Sequence, residues 1–163
     1  MKLLTLFLLV TVVAGLQISA RSQTASGSCP VSQVTRDSAP PDPNADSGGP
    51  AEDWYINSDR TIWVGVPADG WPSGGTLYSG GRVVNGQKTY WVRPRGKQLV
   101  ITGHRIDGQA AALEANVPCC YPTGFQIVAL HFPTPGCWQV SAEAGDRELT
   151  FVTEVKPQRA LGR

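Results

Sequence analysis

An excess of charge of one sign is missing from this sequence of 163 residues, which sets 14 Lys and Arg against 13 Asp and Glu. The balance tightens once the N-terminus is read as a leader, because loss of Lys2 leaves 13 of each. Nucleic acid and anionic membrane surfaces are held by surplus Lys and Arg, so neither is expected as a partner. The local group Arg93, Arg95, Lys97 and Arg105 reads as a solvated turn and strand face. Long apolar runs are missing too. The longest, Leu3 to Leu16, covers 14 residues where a bilayer span needs about 20, so no stable membrane span is expected after leader cleavage. Also absent are Cys-x-x-Cys and His-x-x-x-His spacings, a Gly-x-Ser-x-Gly elbow, and a glycine-rich loop running into a helix. Those patterns mark metal sites, redox centres, hydrolases and phosphate cradles. Without them no enzymatic activity, metal or cofactor is expected.

What is present begins with "MKLLTLFLLVTVVAGLQISA", a basic residue, an apolar stretch and a small residue at a cleavage position. Residues 1–20 therefore read as a secretory signal peptide, and the mature protein is expected to be secreted or periplasmic. A lipid anchor on Cys29 is disfavoured, since "SGSC" puts serine where a large aliphatic residue belongs and lies well beyond Leu16. Residues 21–51 are rich in Pro, Ser, Gly and Asp and read as a flexible tether, with room for a short strand at "CPVSQV". The folded body is expected over 52–157, with 158–163 a disordered tail.

The body reads as all-β. Short β-rich runs alternate with turn chemistry, and no sustained 3.6-residue period occurs. In "RVVNGQKTYWV", Asn85-Gly86 predicts a tight two-residue hairpin. In "WVRPRGKQLV", Pro94 at the second turn position and Gly96 at the fourth predict a type I turn between antiparallel strands. Trp138, Val140, Ala142 and Ala144 alternate with polar residues, the mark of a strand with one buried face. "GDR" then turns the chain into "ELTFVTEV". "QAAALEA", Gln109 to Ala115, favours helix but is too short to hold one unaided, so an irregular crossover is expected, with at most one helical turn.

Three pieces resemble a family of exported bacterial proteins: "CPV" at Cys29, "GKQLVITGHRIDGQAAALEA" at 96–115, and "GFQIVALHFPTPGCWQVSAEAGDRELTFV" at 124–152. The family's recurring text is close to "CPVT", "G.LTI.GRRLD" and "GFQ.S.L.FPT.GCWEVT..VG...LTFV". The resemblance covers most of the mature chain and implies export and an immunoglobulin-like antiparallel β-sandwich, with no assigned activity. This chain departs from the pattern at His104, where arginine is usual, and at Gln139, where glutamate is usual.

Four cysteines in an exported chain are read as disulfides, with three pairings open. Cys137 opens one strand of an antiparallel arrangement, while Cys119 and Cys120 precede the other. Seven or eight strand residues at about 3.3 Å each hold those ends roughly 25 Å apart. A disulfide needs Cα atoms within about 7 Å, so neither Cys119 nor Cys120 should reach Cys137. Cys29 on its tether can, and the family pattern is compatible with Cys29–Cys137. Cys119 and Cys120 then form a vicinal disulfide or remain thiols. Metal binding by this pair with His104 or His131 is disfavoured, because adjacent residues on an extended chain point to opposite faces.

Aromatic residues are the remaining lead. Trp63 and Trp138 are expected to pack between the sheets. Trp71, in the Gly/Pro loop "ADGWPSGG", could form a binding surface with Tyr78 or Trp91. The leading expectation is a non-catalytic module acting by protein interaction in the cell envelope or extracellular space. The alternative is a small-ligand or glycan binder using Trp71, Tyr78 and Trp91.

Overall fold

A computed structural model describes residues 28–36, 53–79, 82–119 and 121–158. The expected leader, most of the tether and the tail beyond Gln158 lie outside the described residues. As expected, the described chain is all-β. Its strands are β1 (Asp53–Ile56), β2 (Trp63–Val66), β3 (Trp71–Pro72), β4 (Thr76–Ser79), β5 (Arg82–Asn85), β6 (Gln87–Val92), β7 (Leu99–Arg105), β8 (Glu114–Asn116), β9 (Phe125–His131), β10 (Gly136–Ala144) and β11 (Arg147–Lys156). One sheet runs β1-β2-β6-β9-β8 and the other β3-β11-β10-β7, while β4 and β5 form a separate ribbon.

The two sheets face each other across one core. From β10 come Trp138, Val140, Ala142 and Ala144, all buried as their alternation requires. Leu149, Phe151 and Val155 of β11 continue that face, and Tyr55, Val64, Trp91, Val128 and Leu130 meet it from the five-stranded sheet. The rings interlock: Tyr55 stacks on Phe151 at 4.4 Å between centroids, and Phe132 meets Trp138 edge-on at 5.5 Å. Each such large apolar side chain contributes about 1.5–3 kcal/mol by leaving water. Trp63, expected here, lies elsewhere. Val64 takes the inward position, so the pleat turns Trp63 to the opposite face, where it packs with Trp54 and Val92 in a second cluster.

Two turn expectations are corrected. Gly86 has φ of 112°, as its Asn-Gly context suggests, but β5 and β6 do not pair with each other. β5 pairs with β4, whereas β6 pairs with β2 and β9. Gly86 is the kink between them. A Cβ there would come within 2.6 Å of the Leu130 backbone, so the residue must be glycine for close approach as well as for φ. The second turn runs from Pro94 to Lys97, closed by Lys97 N–H to Pro94 C=O at 3.2 Å, with Gly96 at φ of 71° in its third position. Positive φ there is the type II signature. It also joins strands of different sheets, not a hairpin pair. The "GDR" turn stands: Ala144 pairs with Arg147, leaving Gly145 and Asp146 as a two-residue loop.

In "QAAALEA", residues 109–113 are irregular and Glu114–Asn116 pair with β9. Sheet pairing overrides the helical propensity. The N-terminal segment is the other difference. Residues 28–36, assigned to the tether, belong to the folded body. Ser32 N–H donates to Val152 C=O at 2.9 Å, Thr35 bridges Trp54, and Arg36 pairs with Asp53 at 3.0 Å. The segment thus ties β11 of one sheet to β1 of the other, and Cys29 is bonded to Cys137 at its start.

Candidate functional site

Strand alternation on β6 directs Thr89, Trp91 and then Arg93 toward the interior, with exposures of 1%, 0% and 4%. The first two fit without strain: Trp91 Nε1–H donates to Thr89 Oγ1 at 2.8 Å, and that hydroxyl donates to Val128 C=O at 2.9 Å. Arg93 extends the ladder one residue beyond β6, its N–H donating to Gly124 C=O at 2.9 Å. Its guanidinium then lies under the end of the sandwich.

The partners of Arg93 are all neutral. Nε–H donates to Gln126 Oε1 at 2.5 Å, Nη1 to Pro94 C=O at 3.0 Å, and Nη2 to Tyr121 C=O at 3.1 Å. The carboxylates in ion pairs serve other arginines: Asp53 serves Arg36, Asp107 serves Arg105, and Asp59 and Asp146 serve Arg147. Burial draws the Arg93 guanidinium below its ordinary pKa, yet arginine keeps its proton in proteins. A buried positive charge is therefore held without a counter-ion among the described residues. Three of its five N–H donors are engaged and two remain among the described residues.

Gln126 adds to that donor set. It is 1% exposed, and with Oε1 engaged by Arg93 its Nε2 has no partner among the described residues. Rotating the amide would set N–H against N–H at Arg93, so the orientation is fixed by chemistry. Both residues line a cavity of about 330 Å³ between the Gly96–Leu99 segment and residues 117–119 and 121–122. Lys97 brings a second cation to its wall, while Leu99, Pro118 and Pro122 make the wall partly apolar. Arg93 also lines a hollow of about 250 Å³ with Arg60 and Arg95. The expectation of a solvated Arg93 is thus corrected.

Trp71 and Trp91, expected at a binding surface, are core residues with exposures of 1% and 0%. Trp71 is carried inside because "WP" forms β3, pairing in parallel with Val155 and Lys156 of β11. Its ring lies 5.8 Å from Phe132 and 6.2 Å from Phe151. Tyr78 lies on β4, opposite Val83, and its side chain is outside the described residues. The three residues therefore do not assemble a site. Cys29 and Cys137 are joined with Cα atoms 5.4 Å apart, as the strand geometry allows. Cys119 is disulfide-bonded and lines the Arg93 cavity, while Cys120 lies outside the described residues. No group of three or more His, Cys, Asp or Glu able to hold a metal occurs among the described residues. Nor is any described helix long and apolar enough to cross a membrane.

Compared with protein-family models, curated proteins and solved structures, the chain matches none. The site must be read from its own chemistry. Sequence reasoning missed Arg93 and Gln126 because it grouped Arg93 with its sequence neighbours. The usable signal was the period of two: Thr89, Trp91 and Arg93 share one face, and so do Gln126, Val128 and Leu130.

Proposed function

We propose that this protein is an exported, non-catalytic module of immunoglobulin-like sandwich type. It acts in the envelope or extracellular space by docking an anionic group of a partner protein in the Arg93 cavity. One observation carries the reading: a buried guanidinium without a counter-ion among the described residues opens on a cavity of ligand size. A buried charge left uncompensated costs several kcal/mol of stability. A bound anion offsets that cost, and donors already fixed in place lose little entropy on binding. The described lining holds amide, guanidinium, ammonium and apolar groups but no carboxylate or imidazole, which suits recognition better than proton transfer. Export is supported by the leader-like N-terminus and by the Cys29–Cys137 bond, which belongs to an oxidising compartment.

A photo-crosslinking residue in place of Tyr121, which lines the cavity and is 39% exposed, tests the reading. A covalent adduct with one partner protein is expected in the exporting cell, lost in an Arg93→Gln background that still melts cooperatively. An adduct indifferent to Arg93→Gln would overturn it. The glycan reading shifts to the half-buried Tyr90 and Phe125, whose rings lie 6.1 Å apart and 17° from parallel beside Lys88. Glycan-array binding abolished by Tyr90→Ala would favour it over protein docking.

A further inference from the structure

We propose that the group taken by the Arg93 cavity is a carboxylate on a small apolar body, such as the C-terminal residue of a chain or a free N-acylated amino acid. This rests on the reading of the cavity as an anion-docking site. Donor number and shape support it. Two N–H groups of Arg93 and two of Gln126 Nε2 are uncommitted among the described residues. A carboxylate has two oxygens and about four acceptor positions. Both donors are planar groups fixed by the Arg93–Gln126 hydrogen bond, and planar forks match planar carboxylates.

Charge points the same way. The one buried cation, Arg93, balances a monoanion while the exposed Lys97 stays hydrated, whereas a phosphate dianion would also demand desolvation of a second negative charge. The apolar wall supplies the rest of the selectivity. Leu99, Val117, Pro118 and Pro122 offer hydrocarbon beside the donors, which an acid bearing an aliphatic side chain would cover. At about 330 Å³ the cavity lies near the lower end of the ~300–1,000 Å³ range of ligand sites. It has room for one residue-sized group, not for an extended oligomer.

Titration of the ¹⁵N-labelled exported protein by NMR tests this, with N-acetyl-leucine, N-acetyl-leucine amide and inorganic phosphate as probes. N-acetyl-leucine is expected to shift the Arg93 Nε–H and Gln126 Nε2 resonances saturably, and the amide to leave them in place. Gln126→Glu supplies the cavity with its own carboxylate at the same position and should weaken N-acetyl-leucine on the order of 30-fold or more while keeping the fold. Saturable shifts with phosphate but not N-acetyl-leucine would overturn the carboxylate assignment and leave anion docking standing. Silence with both anions would remove anion docking as well. Equal shifts with the acid and its amide would show that the charge is not what is recognised, overturning both.

Discussion

Replacing Gln126 by glutamate would put a carboxylate oxygen where an amide oxygen now accepts the Arg93 Nε–H at 2.5 Å. Side-chain volume hardly changes, so packing is not the variable. Three effects compete. The hydrogen bond becomes charge-assisted, raising its net contribution from about 1 to about 2 kcal/mol. Loss of Nε2 removes a buried donor without a partner, a relief of about 1–3 kcal/mol. The attraction between unit charges near 4 Å is about 4 kcal/mol at an effective dielectric of 20, but desolvating the new carboxylate costs several kcal/mol and cancels most of it. A net gain of about 2–4 kcal/mol remains, which raises Tm by roughly 8–16 °C for a body of this size. Arg93 would hold the new carboxyl below its ordinary value near 4.3, so the gain is present above that value and lost as pH falls through the depressed one. Thermal and urea unfolding at pH 7 and pH 3 measure it, with Gln126→Leu as a control that leaves Nε–H unpaired and costs about 1–3 kcal/mol. A Gln126→Glu protein no more stable than wild type at pH 7 would refute the claim that Arg93 lacks a counter-ion.

Trp71→Ala should cost about 3–5 kcal/mol in urea unfolding, since the ring is core between Phe132 and Phe151; a change within 0.5 kcal/mol would return it to the surface. Gly86→Ala should cost about 2–4 kcal/mol in the same assay, combining positive φ with a clash against the Leu130 backbone. The Cys29→Ser, Cys137→Ser double variant opens a loop of 108 residues, for which chain entropy gives a loss of about 4–5 kcal/mol, read as a lower urea midpoint. Non-reducing peptide mapping of wild type should find that link, with Cys119 bonded to Cys120. Burial raises the Tyr55 phenol above the ordinary 10.0. Its contribution is complete below that value and falls away as pH rises through the raised one, so unfolding followed from pH 8 to 11 should show a limb that Tyr55→Phe flattens.

Where the chemistry was local or periodic, the sequence was enough. β10 and β11 announce themselves by strict alternation and a glycine turn, and both appear with the expected faces. Strand rise set Cys119 and Cys120 too far from Cys137 and left Cys29 as its candidate partner, the pair that is joined. What failed was choice of partner. Asn85-Gly86 did foretell a positive φ, but not that β5 would turn to β4 and β6 to β9. Trp71 failed for a related reason. A two-residue parallel strand has no period to detect, and its partner Val155 lies near the other end of the body. Glycine and proline around it read as an exposed loop, whereas Gly70, Gly74 and Gly75 take the positive φ values that let the chain enter and leave so short a strand.

Arg93 shows why an unpaired charge is more informative here than a paired one. The recorded ion pairs of Arg36, Arg105 and Arg147 all have at least one partly exposed partner, where a pair contributes about 0–1 kcal/mol. Arg93 is the one buried charged side chain among the described residues, and it alone sits where a counter-ion would matter most. Glutamate at 126 differs from glutamine by little more than one atom, so a neutralised version of this end of the sandwich is sterically open. If unfolding confirms that the neutralised protein is more stable, stability does not explain the amide. Keeping the guanidinium available to an outside acceptor does, at the cavity that Gln126 and Lys97 share with it.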